Sequence, residues 1–236
     1  MPKDAKDPKG VRHSKKYRES AKLIDKTKSY DLGEAIAMAK KSGAAKFDGS
    51  LELHLNLGVD PKQSEQQVRS SVTLPHGTGK TIKLTVIAAE EQQAEAKKAG
   101  ADVVGGQEII DNIKKTGKAD FDILVTTPDM MAKLAAVARV LGPKGLMPSP
   151  KNGTITKDLA AAVKELKAGK VNFKNDDTSN LHQTFGKVSF TEKQLEENLE
   201  TLLTAIKKAK PAGVKGVFIK SATVAATMGP GIRVKV

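Results

Sequence analysis

LGPKGLMPSPKNGT, residues 141–154, is the least ordinary stretch of this sequence. Three prolines stand among glycines and lysines directly after an alanine-rich pattern at 131–141 that predicts a helix. Because proline fixes φ and lacks an N–H group, we expect the chain to leave the helix here and to follow a fixed, extended path. The spacing alone also fits a helix stop followed by a proline-restricted surface loop.

The composition limits the class of protein. A chain of 236 residues with 39% apolar content is long enough for two domains. Tryptophan is absent and tyrosine occurs twice, so the cores are predicted to be aliphatic and repeated base stacking is excluded. The absence of cysteine excludes disulfides, thiolate metal sites and cysteine nucleophiles. No apolar run approaches the ~20 residues of a membrane span and no secretory signal is recognisable, which indicates a cytoplasmic protein.

The net charge is the strongest bulk signal. Forty basic and 27 acidic residues give +13 and a pI near 9.7, as expected for a protein that binds a polyanion. Residues 78–169 carry 14 basic and 11 acidic residues, and the flanking segments carry 26 and 16. The excess therefore lies in the two flanking segments, where we predict the main polyanion surface.

The first flanking segment begins with a Lys-rich stretch, residues 1–20, that is predicted to be a mobile basic tail. Asp31 and Glu34 then predict a capping box for a short helix. Alternating leucines at 51, 53, 55 and 57 predict a half-buried strand with a polar outer face. A second extended segment, 68–74, is expected to pair with this strand in antiparallel fashion.

The middle of the chain has a different pattern. Apolar strands alternate with helices between residues 78 and 169, which predicts parallel strands covered by helices. After Gly169 paired strands return, and Thr191 with Gln194 opens a leucine-striped helix. The predicted fold class is α/β with two domains. A split two-layer α+β outer domain, formed by 1–77 and 170–236, carries an inserted Rossmann-like three-layer α/β domain at 78–169.

The segment His76–Thr81, HGTGKT, ends like a phosphate-binding P-loop. The full motif requires a glycine where this chain has Leu74, and it should follow the first strand of the domain instead of preceding it. We therefore interpret Gly77, Thr78 and Gly79 as a hinge, with Gly169 at the return crossing, because such boundaries need residues that tolerate unusual dihedral angles.

No other local motif indicates catalysis. Gly105 and Gly106 lack the GxGxxG spacing of a dinucleotide site and are expected to form a tight turn from strand to helix. The four histidines are scattered without the spacing of metal ligands. We predict no cofactor, no metal and no enzymatic activity.

The run Thr227–Gly231, TMGPG, is compatible with a plain loop before the last strand. It is equally compatible with a surface that lies against RNA. A hydroxyl, a flexible thioether and an open glycine backbone permit close approach to ribose and base edges, and RNA is recognised largely by shape and by its 2′-hydroxyls.

The run Val137–Pro148, VARVLGPKGLMP, resembles the signature of the L-one family of large-subunit ribosomal proteins, and Pro150–Thr154 continues it. Further matches cover nearly the whole chain after the basic tail: Ala45–Phe47, Leu74–Gly77, Asn175, Asp176, Ser221 and Thr227–Pro230. The resemblance implies the same plan of a split outer domain that binds RNA and an inserted domain that swings about two crossings.

The resemblance also implies a function. Members of the family are structural constituents of the large ribosomal subunit, bind the mobile stalk of 23S rRNA, assist release of deacylated tRNA from the exit site, and repress translation of their own operon mRNA. A monomer is implied when the protein is free of the ribosome and its components. Matched residue by residue, the implied RNA contacts are Lys46, Phe47, Ser50, Glu52, Asn175, Asp176, Ser221, Thr227, Met228 and Gly229.

Two other functions remain open from the sequence. A nucleotide-dependent enzyme would use the inserted domain and bind ATP or NAD saturably. A general basic RNA chaperone would bind RNA without regard to its sequence or shape.

Overall fold

The computed structural model describes residues 14–25, 27–43, 45–117, 119–156, 158–211, 213–214 and 216–236. The chain divides into two compact units. The outer unit combines the chain up to Val68 with Phe173–Val236, and the inserted unit is Arg69–Asn172. The fold is mixed α/β, as predicted. The boundaries of functional domains at 78 and 169 stay a prediction.

The described residues form nine strands and eight α-helices. The strands are β1 (Ser50–Leu57), β2 (Arg69–Thr73), β3 (Leu84–Ile87), β4 (Val103–Gly105), β5 (Ile123–Thr126), β6 (Lys170–Lys174), β7 (Asn180–Lys187), β8 (Ile219–Ala226) and β9 (Ile232–Val234). The helices are α1 (Lys15–Lys22), α2 (Leu32–Ser42), α3 (Glu90–Lys98), α4 (Gln107–Thr116), α5 (Pro128–Leu134), α6 (Ala138–Leu141), α7 (Leu159–Lys167) and α8 (Glu192–Lys208).

The outer unit is built on a four-stranded antiparallel sheet in the order β7-β1-β8-β9. Burial alternates along β1, where the four predicted leucines are buried and the polar residues between them are partly exposed. Helices α2 and α8 pack on the leucine side of the sheet. The outer unit is therefore a two-layer structure, and the polar side chains of β1 point away from those helices.

Helix α8 begins at the predicted capping box. Thr191 Oγ1 accepts a hydrogen bond from the backbone N–H of Gln194, and Gln194 Oε1 accepts one from the N–H of Thr191. The buried face of α8 follows a helical spacing: Leu195, Asn198, Leu199, Leu202, Leu203 and Ile206. Asn198 Nδ2 donates to the carbonyl of Phe185 at 2.9 Å, which satisfies this buried amide and fixes α8 to β7.

The inserted unit contains a three-stranded parallel sheet in the order β4-β3-β5. One face of this sheet packs against α3 and α7, with Leu84 and Val86 in that core. The other face packs against α4 and α5, with Ile87 and Leu124 in the second core. Consecutive residues of one strand thus serve opposite faces, which gives the predicted three layers.

The chain leaves a helix in the stretch 141–154, as predicted, but it first turns at 142–145 instead of continuing as an extended path. Helix α6 ends at Leu141, and the N–H of Leu146 donates back to the Leu141 carbonyl at 3.0 Å. The chain then passes a short 3-10 turn and reaches the edge of β5. There the N–H of Thr126 donates to the Thr154 carbonyl at 3.0 Å. The segment therefore carries the chain along a defined path from a helix to the edge of the parallel sheet.

The predicted partner of segment 68–74 was wrong. Strand β2 does not join β1 but forms a separate two-stranded sheet with β6. The Leu74 N–H donates to Gly169 O at 3.2 Å, and the Asn175 N–H donates to Val68 O at 3.1 Å, so the two strands run antiparallel. Strand β1 pairs instead with β7 and β8, whose side chains complete its leucine face.

Two predictions near the N-terminus need correction. The predicted mobile tail, 1–20, is helical from Lys15, because Ser14 Oγ accepts from the Tyr17 N–H at 3.2 Å and α1 packs against α2. Residues 1–13 lie outside the described residues. The capping box at Asp31 does not form. The Asp31 carboxylate instead accepts a hydrogen bond from Lys235 Nζ at 3.2 Å.

No helix in the described part of the chain combines the length and the apolarity required to cross a bilayer.

Candidate nucleic-acid interface

Rows of side chains cross the polar face of the outer sheet, since residues that lie opposite each other on neighbouring strands point the same way. The rows are Asn180–Asn56–Ser221, His182–His54–Thr223–Arg233 and Thr184–Glu52–Ala225. Most of these side chains end in an amide, hydroxyl, imidazole or carboxylate. The face therefore offers hydrogen-bond donors and acceptors, and two predicted site residues, Glu52 and Ser221, lie on it.

Two large apolar side chains are exposed near the start of β1. Phe47 is 63% exposed and Met228 is 75% exposed. The turn that carries Met228 is tied to β1, because the Ser50 N–H donates to Thr227 Oγ1 and the Thr227 N–H donates to the Ser50 carbonyl, both at 2.9 Å. Five predicted residues, Lys46, Phe47, Ser50, Thr227 and Met228, are therefore brought to one end of the sheet.

The backbone at Met228 adopts an unusual conformation. Its φ is +65°, in the left-handed region that non-glycine residues rarely occupy. The next residue, Gly229, lies close to the protein itself, since a Cβ there would stand 3.2 Å from Ala226 O and 3.4 Å from Ser42 O. The turn is consequently fixed on its inner side, and the Met228 side chain is held outward.

Asn175 and Asp176 lie at the opposite end of the sheet. The Asp176 carboxylate accepts hydrogen bonds from the hydroxyl and N–H of Thr178 and from the N–H of Asn180. These bonds, the Thr178 hydroxyl first, hold the pKa of Asp176 below its usual value. Asn175 is only 4% exposed. Its Oδ1 accepts from the Val68 N–H at 2.9 Å, and its Nδ2 donates to the Asp176 carbonyl at 3.0 Å.

The predicted site residues thus fall into two groups. Ser50 and Asn56 are six residues apart on an extended strand, which separates the two ends of the face by about 20 Å. Glu52 lies between the groups. Asn175 differs from Glu52 in that it is buried and both polar atoms of its side-chain amide are engaged within the protein.

The two histidines at the centre of the face were not predicted as site residues. His54 and His182 are 128 residues apart, yet their Nδ1 atoms lie 2.8 Å from each other. Partial burial, followed by the neighbouring His182, lowers the pKa of His54, while Glu52 acts in the opposite direction. The alternation along β1 shows that His54 faces outward, but no pattern within the sequence indicates which strand lies beside it.

The predicted hinge glycines lie in the inserted unit, where Gly77 and Gly169 touch each other. Gly77, Gly79 and Gly169 all have positive φ, at +64°, +71° and +100°. A Cβ on Gly169 would overlap Gly77 Cα and lie 3.2 Å from Gly77 N. The backbone conformation thus favours glycine at both crossings, and the close approach excludes a Cβ at Gly169. Hinge motion itself stays a prediction.

The P-loop-like segment is not arranged as a phosphate site. Residues 74–83 precede β3 and include no helix, whereas a P-loop connects a strand to the N-terminus of a helix. Lys80, the residue that would meet the phosphates, donates to Asp122 Oδ1 at 2.9 Å. The glycine pair Gly105–Gly106 lies between β4 and α4. A Cβ on Gly105 would lie 2.8 Å from Ile109 Cδ1, which fits the predicted tight turn from strand to helix.

Among the described residues, no three side chains of the metal-binding types His, Cys, Asp and Glu converge on one point.

Comparison with known proteins gives the family. Residues 38–230 match the sequence model of the ribosomal protein L1p/L10e family. The chain is 53% identical over 222 residues to the large ribosomal subunit protein uL1 of Kosmotoga olearia, covering 94% of this chain and 96% of that protein. It is 49% identical over 223 residues to the uL1 protein of Thermosipho melanesiensis, with the same coverage. These relatives are named as ribosomal proteins, which agrees with the prediction that the chain is not an enzyme. The chain belongs to the ribosomal protein L1p/L10e family.

Proposed function

We propose that this protein is a structural constituent of the large ribosomal subunit that works in the cytoplasm, and that its outer unit binds the mobile stalk of 23S rRNA. The observation that carries the RNA proposal is the polar face of the outer sheet, flanked at one end by the exposed Phe47 and Met228. An exposed apolar pair beside a face of amides and hydroxyls suits RNA, whose bases and riboses present both kinds of surface.

The side chains on the face suit recognition of sugar and base edges more than recognition of phosphate alone. Glu52 and Asp176 accept hydrogen bonds, so they favour 2′-hydroxyls and base amines over phosphate oxygens. Ser221 and Asn56 offer groups that can donate or accept. The net charge of +10 in the flanking segments supplies long-range attraction without sequence preference. The polar face is then expected to determine which RNA is bound. The surrounding lysines and arginines are expected to supply most of the affinity at low salt.

The remaining predicted residues divide by role. Lys46, Phe47 and Met228 are exposed and available for direct contact. Ser50, Thr227 and Gly229 shape the turn that presents Met228. We assign Asn175 a positioning role, because its buried amide links Val68 to the Asp176 turn.

The inserted unit is proposed to assist release of deacylated tRNA from the exit site, moving about the crossings at Gly77–Gly79 and Gly169. The same RNA surface is proposed to bind a mimic of the rRNA site in the protein's own operon mRNA and so to repress its translation. Both proposals rest on the family resemblance, and the glycine contact at the crossings supports only the first. The free protein is proposed to be a monomer.

The test compares the intact protein with two matched variants. Met228→Ala removes most of a side chain that is 75% exposed. Leu23→Ala does the same to a side chain that is 64% exposed and directly follows α1, which packs against α2. Binding to a stalk rRNA fragment and to a scrambled RNA is measured over a salt series. Burial of a methionine side chain contributes roughly 1.5–3 kcal/mol, so Met228→Ala is expected to weaken stalk binding by about tenfold.

Leu23→Ala is expected to bind as the wild-type protein does. Equal affinity of the wild-type protein for both RNAs at every salt concentration would overturn the proposal and favour a general RNA chaperone. Saturable binding of ATP or NAD would favour the nucleotide-dependent enzyme instead.

A further inference from the structure

A chain of four titratable groups runs along the middle of the proposed RNA surface. His54 Nδ1 and His182 Nδ1 are 2.8 Å apart and share one hydrogen bond, with the two ring centroids at 5.0 Å. At the far side of each ring stands a carboxylate. Glu52 Oε2 lies 3.8 Å from His54 Nε2, and Asp176 Oδ2 lies 3.8 Å from His182 Nε2. The order is therefore carboxylate, imidazole, imidazole, carboxylate.

This arrangement accepts one added proton and resists a second. In the neutral pair, one Nδ1–H donates to the other Nδ1. One added proton makes the pair a cation in which both Nε2 atoms carry hydrogen and face the carboxylates. A second would direct two N–H groups at each other across 2.8 Å and break the contact. The pair can thus change its charge by one while keeping its geometry.

A positive charge on the histidine pair offsets part of the negative charge of the two neighbouring carboxylates. Glu52 and Asp176 bring two negative charges to a surface that is proposed to meet a polyanion. Water screens these charges in the free protein, but RNA that covers the face removes the screening and strengthens both their repulsion of the phosphates and their attraction for a cation. A proton on the imidazole pair would halve the local negative charge at the point where RNA approaches.

The other groups around the pair leave this balance intact. Thr223 of β8 lies beside His54 in the same row and does not titrate. Arg233 of β9 comes next in that row, two strands from His54 and about 10 Å away by the usual strand spacing. Its exposed guanidinium opposes protonation, whereas the two carboxylates favour it from 3.8 Å. The side chains of His54 and His182 are 32% and 54% exposed, so RNA can reach both rings.

We propose that His54 and His182 belong to the RNA-binding surface and that RNA binding is coupled to uptake of one proton by this pair. The inference rests on the proposed function, because it takes RNA as the ligand of the face. The sign of the coupling follows from linkage. In the free protein, partial burial and then the neighbouring His182 lower the pKa of His54. RNA that binds the face favours the added proton on the pair, and the affinity then increases as the pH falls.

The experiment measures the affinity of the full-length protein for the stalk rRNA fragment and for scrambled RNA between about pH 5.5 and 8.5, where histidine is the side chain that titrates. The wild-type affinity for stalk RNA is expected to be constant at high pH, to rise by up to tenfold per pH unit between the bound and free pKa values, and to level off below them. Titration calorimetry in buffers of different ionisation enthalpy counts the protons, with one as the expected upper limit.

Two variants separate the pair from other histidines. His54→Gln combined with His182→Gln removes the titrating groups and should abolish the pH dependence. His76→Gln removes a histidine of the inserted unit and should keep the wild-type dependence. NMR titration of the imidazole nitrogens in the wild-type protein, with and without RNA, reads the shift directly even if the double variant folds poorly.

Specific binding without a pH dependence, with proton release, or with a pH dependence that survives in the folded double variant would overturn the inference and leave the proposed function standing. A wild-type protein that does not prefer stalk RNA at any pH would overturn both.

Discussion

The close contact between Gly169 and Gly77 makes a quantitative prediction about the inserted unit. Gly169 has φ +100°, and a Cβ there would overlap Gly77 Cα. A left-handed conformation destabilises a non-glycine residue by about 1–2 kcal/mol, and overpacking adds roughly 1–3 kcal/mol. Alanine also reduces the conformational freedom of the unfolded chain, which stabilises the folded state by about 0.4–1 kcal/mol. Gly169→Ala is therefore expected to destabilise the inserted unit by roughly 2–4 kcal/mol.

Two other glycines supply the controls. Gly117 has φ +64°, and no atom lies within 4 Å of its would-be Cβ, so Gly117→Ala carries the strain without the overlap. Gly77 also has φ +64°, and its would-be Cβ meets Gly169 Cα at 3.8 Å, which is an ordinary contact. Both variants should lose about 1 kcal/mol or less. The contact is thus asymmetric, and only the Gly169 side is closed to a methyl group.

The assay is urea unfolding followed by hydrogen exchange in peptides from β3 and β5, which reports on the inserted unit alone. Stalk RNA affinity is measured in parallel and should be unchanged in all three variants, because the proposed RNA surface lies in the outer unit. Equal destabilisation by Gly169→Ala and Gly117→Ala would show that the overlap is relieved at no cost. An effect of Gly77→Ala as large as that of Gly169→Ala would refute the asymmetry.

Two further predictions concern buried and charged groups. Asn175→Ala leaves the Val68 N–H without its acceptor and is expected to lower stability by about 1–3 kcal/mol in urea unfolding, whereas a variant with full stability and weak RNA binding would show that Asn175 contacts RNA directly. The Lys80 ammonium and then the Lys83 N–H lower the pKa of Asp122, so its carboxylate stabilises the fold above the unfolded-state pKa of about 4, and this contribution is lost as the pH falls through the folded value. The stability difference between the wild-type protein and Asp122→Asn should therefore be constant near neutrality and shrink below about pH 4; a constant difference down to pH 3 would contradict this assignment.

Local patterns predicted most elements of this fold. Leu51 to Leu57 alternate with polar residues, and a strand with one buried face is the structure that this period serves. Thr191 and Gln194 stand three residues apart before a leucine stripe, and that spacing defines both the start and the buried face of α8. In each case the interacting residues are neighbours in sequence, so the sequence contains both partners of the interaction.

Pairing between distant strands could not be predicted in the same way. Segment 68–74 is extended, as expected, but its partner β6 begins about a hundred residues later, and an extended segment does not specify its neighbour. The contact of His54 with His182 could not be predicted for the same reason, because the two residues lie on strands that are distant in sequence. Asn175 was predicted as an RNA contact from the family resemblance, and its burial became visible only once Val68 was seen beside it. The residues of the candidate site could thus be proposed from the sequence, whereas their arrangement could not.

The two carboxylates on the proposed RNA surface suggest how a basic protein can select one RNA over another. If the lysines and arginines alone held the RNA, any polyanion would bind, since charge attraction does not depend on sequence. Glu52 and Asp176 change this, because an RNA that presents phosphates to them is repelled, while one that presents hydroxyls or amines satisfies them. The carboxylates thus disfavour an RNA that presents phosphates to them relative to one that presents hydroxyls or amines. In the proposed coupling, a proton taken up by His54 and His182 offsets part of the carboxylate charge, and the position of the pair between Glu52 and Asp176 suits this role.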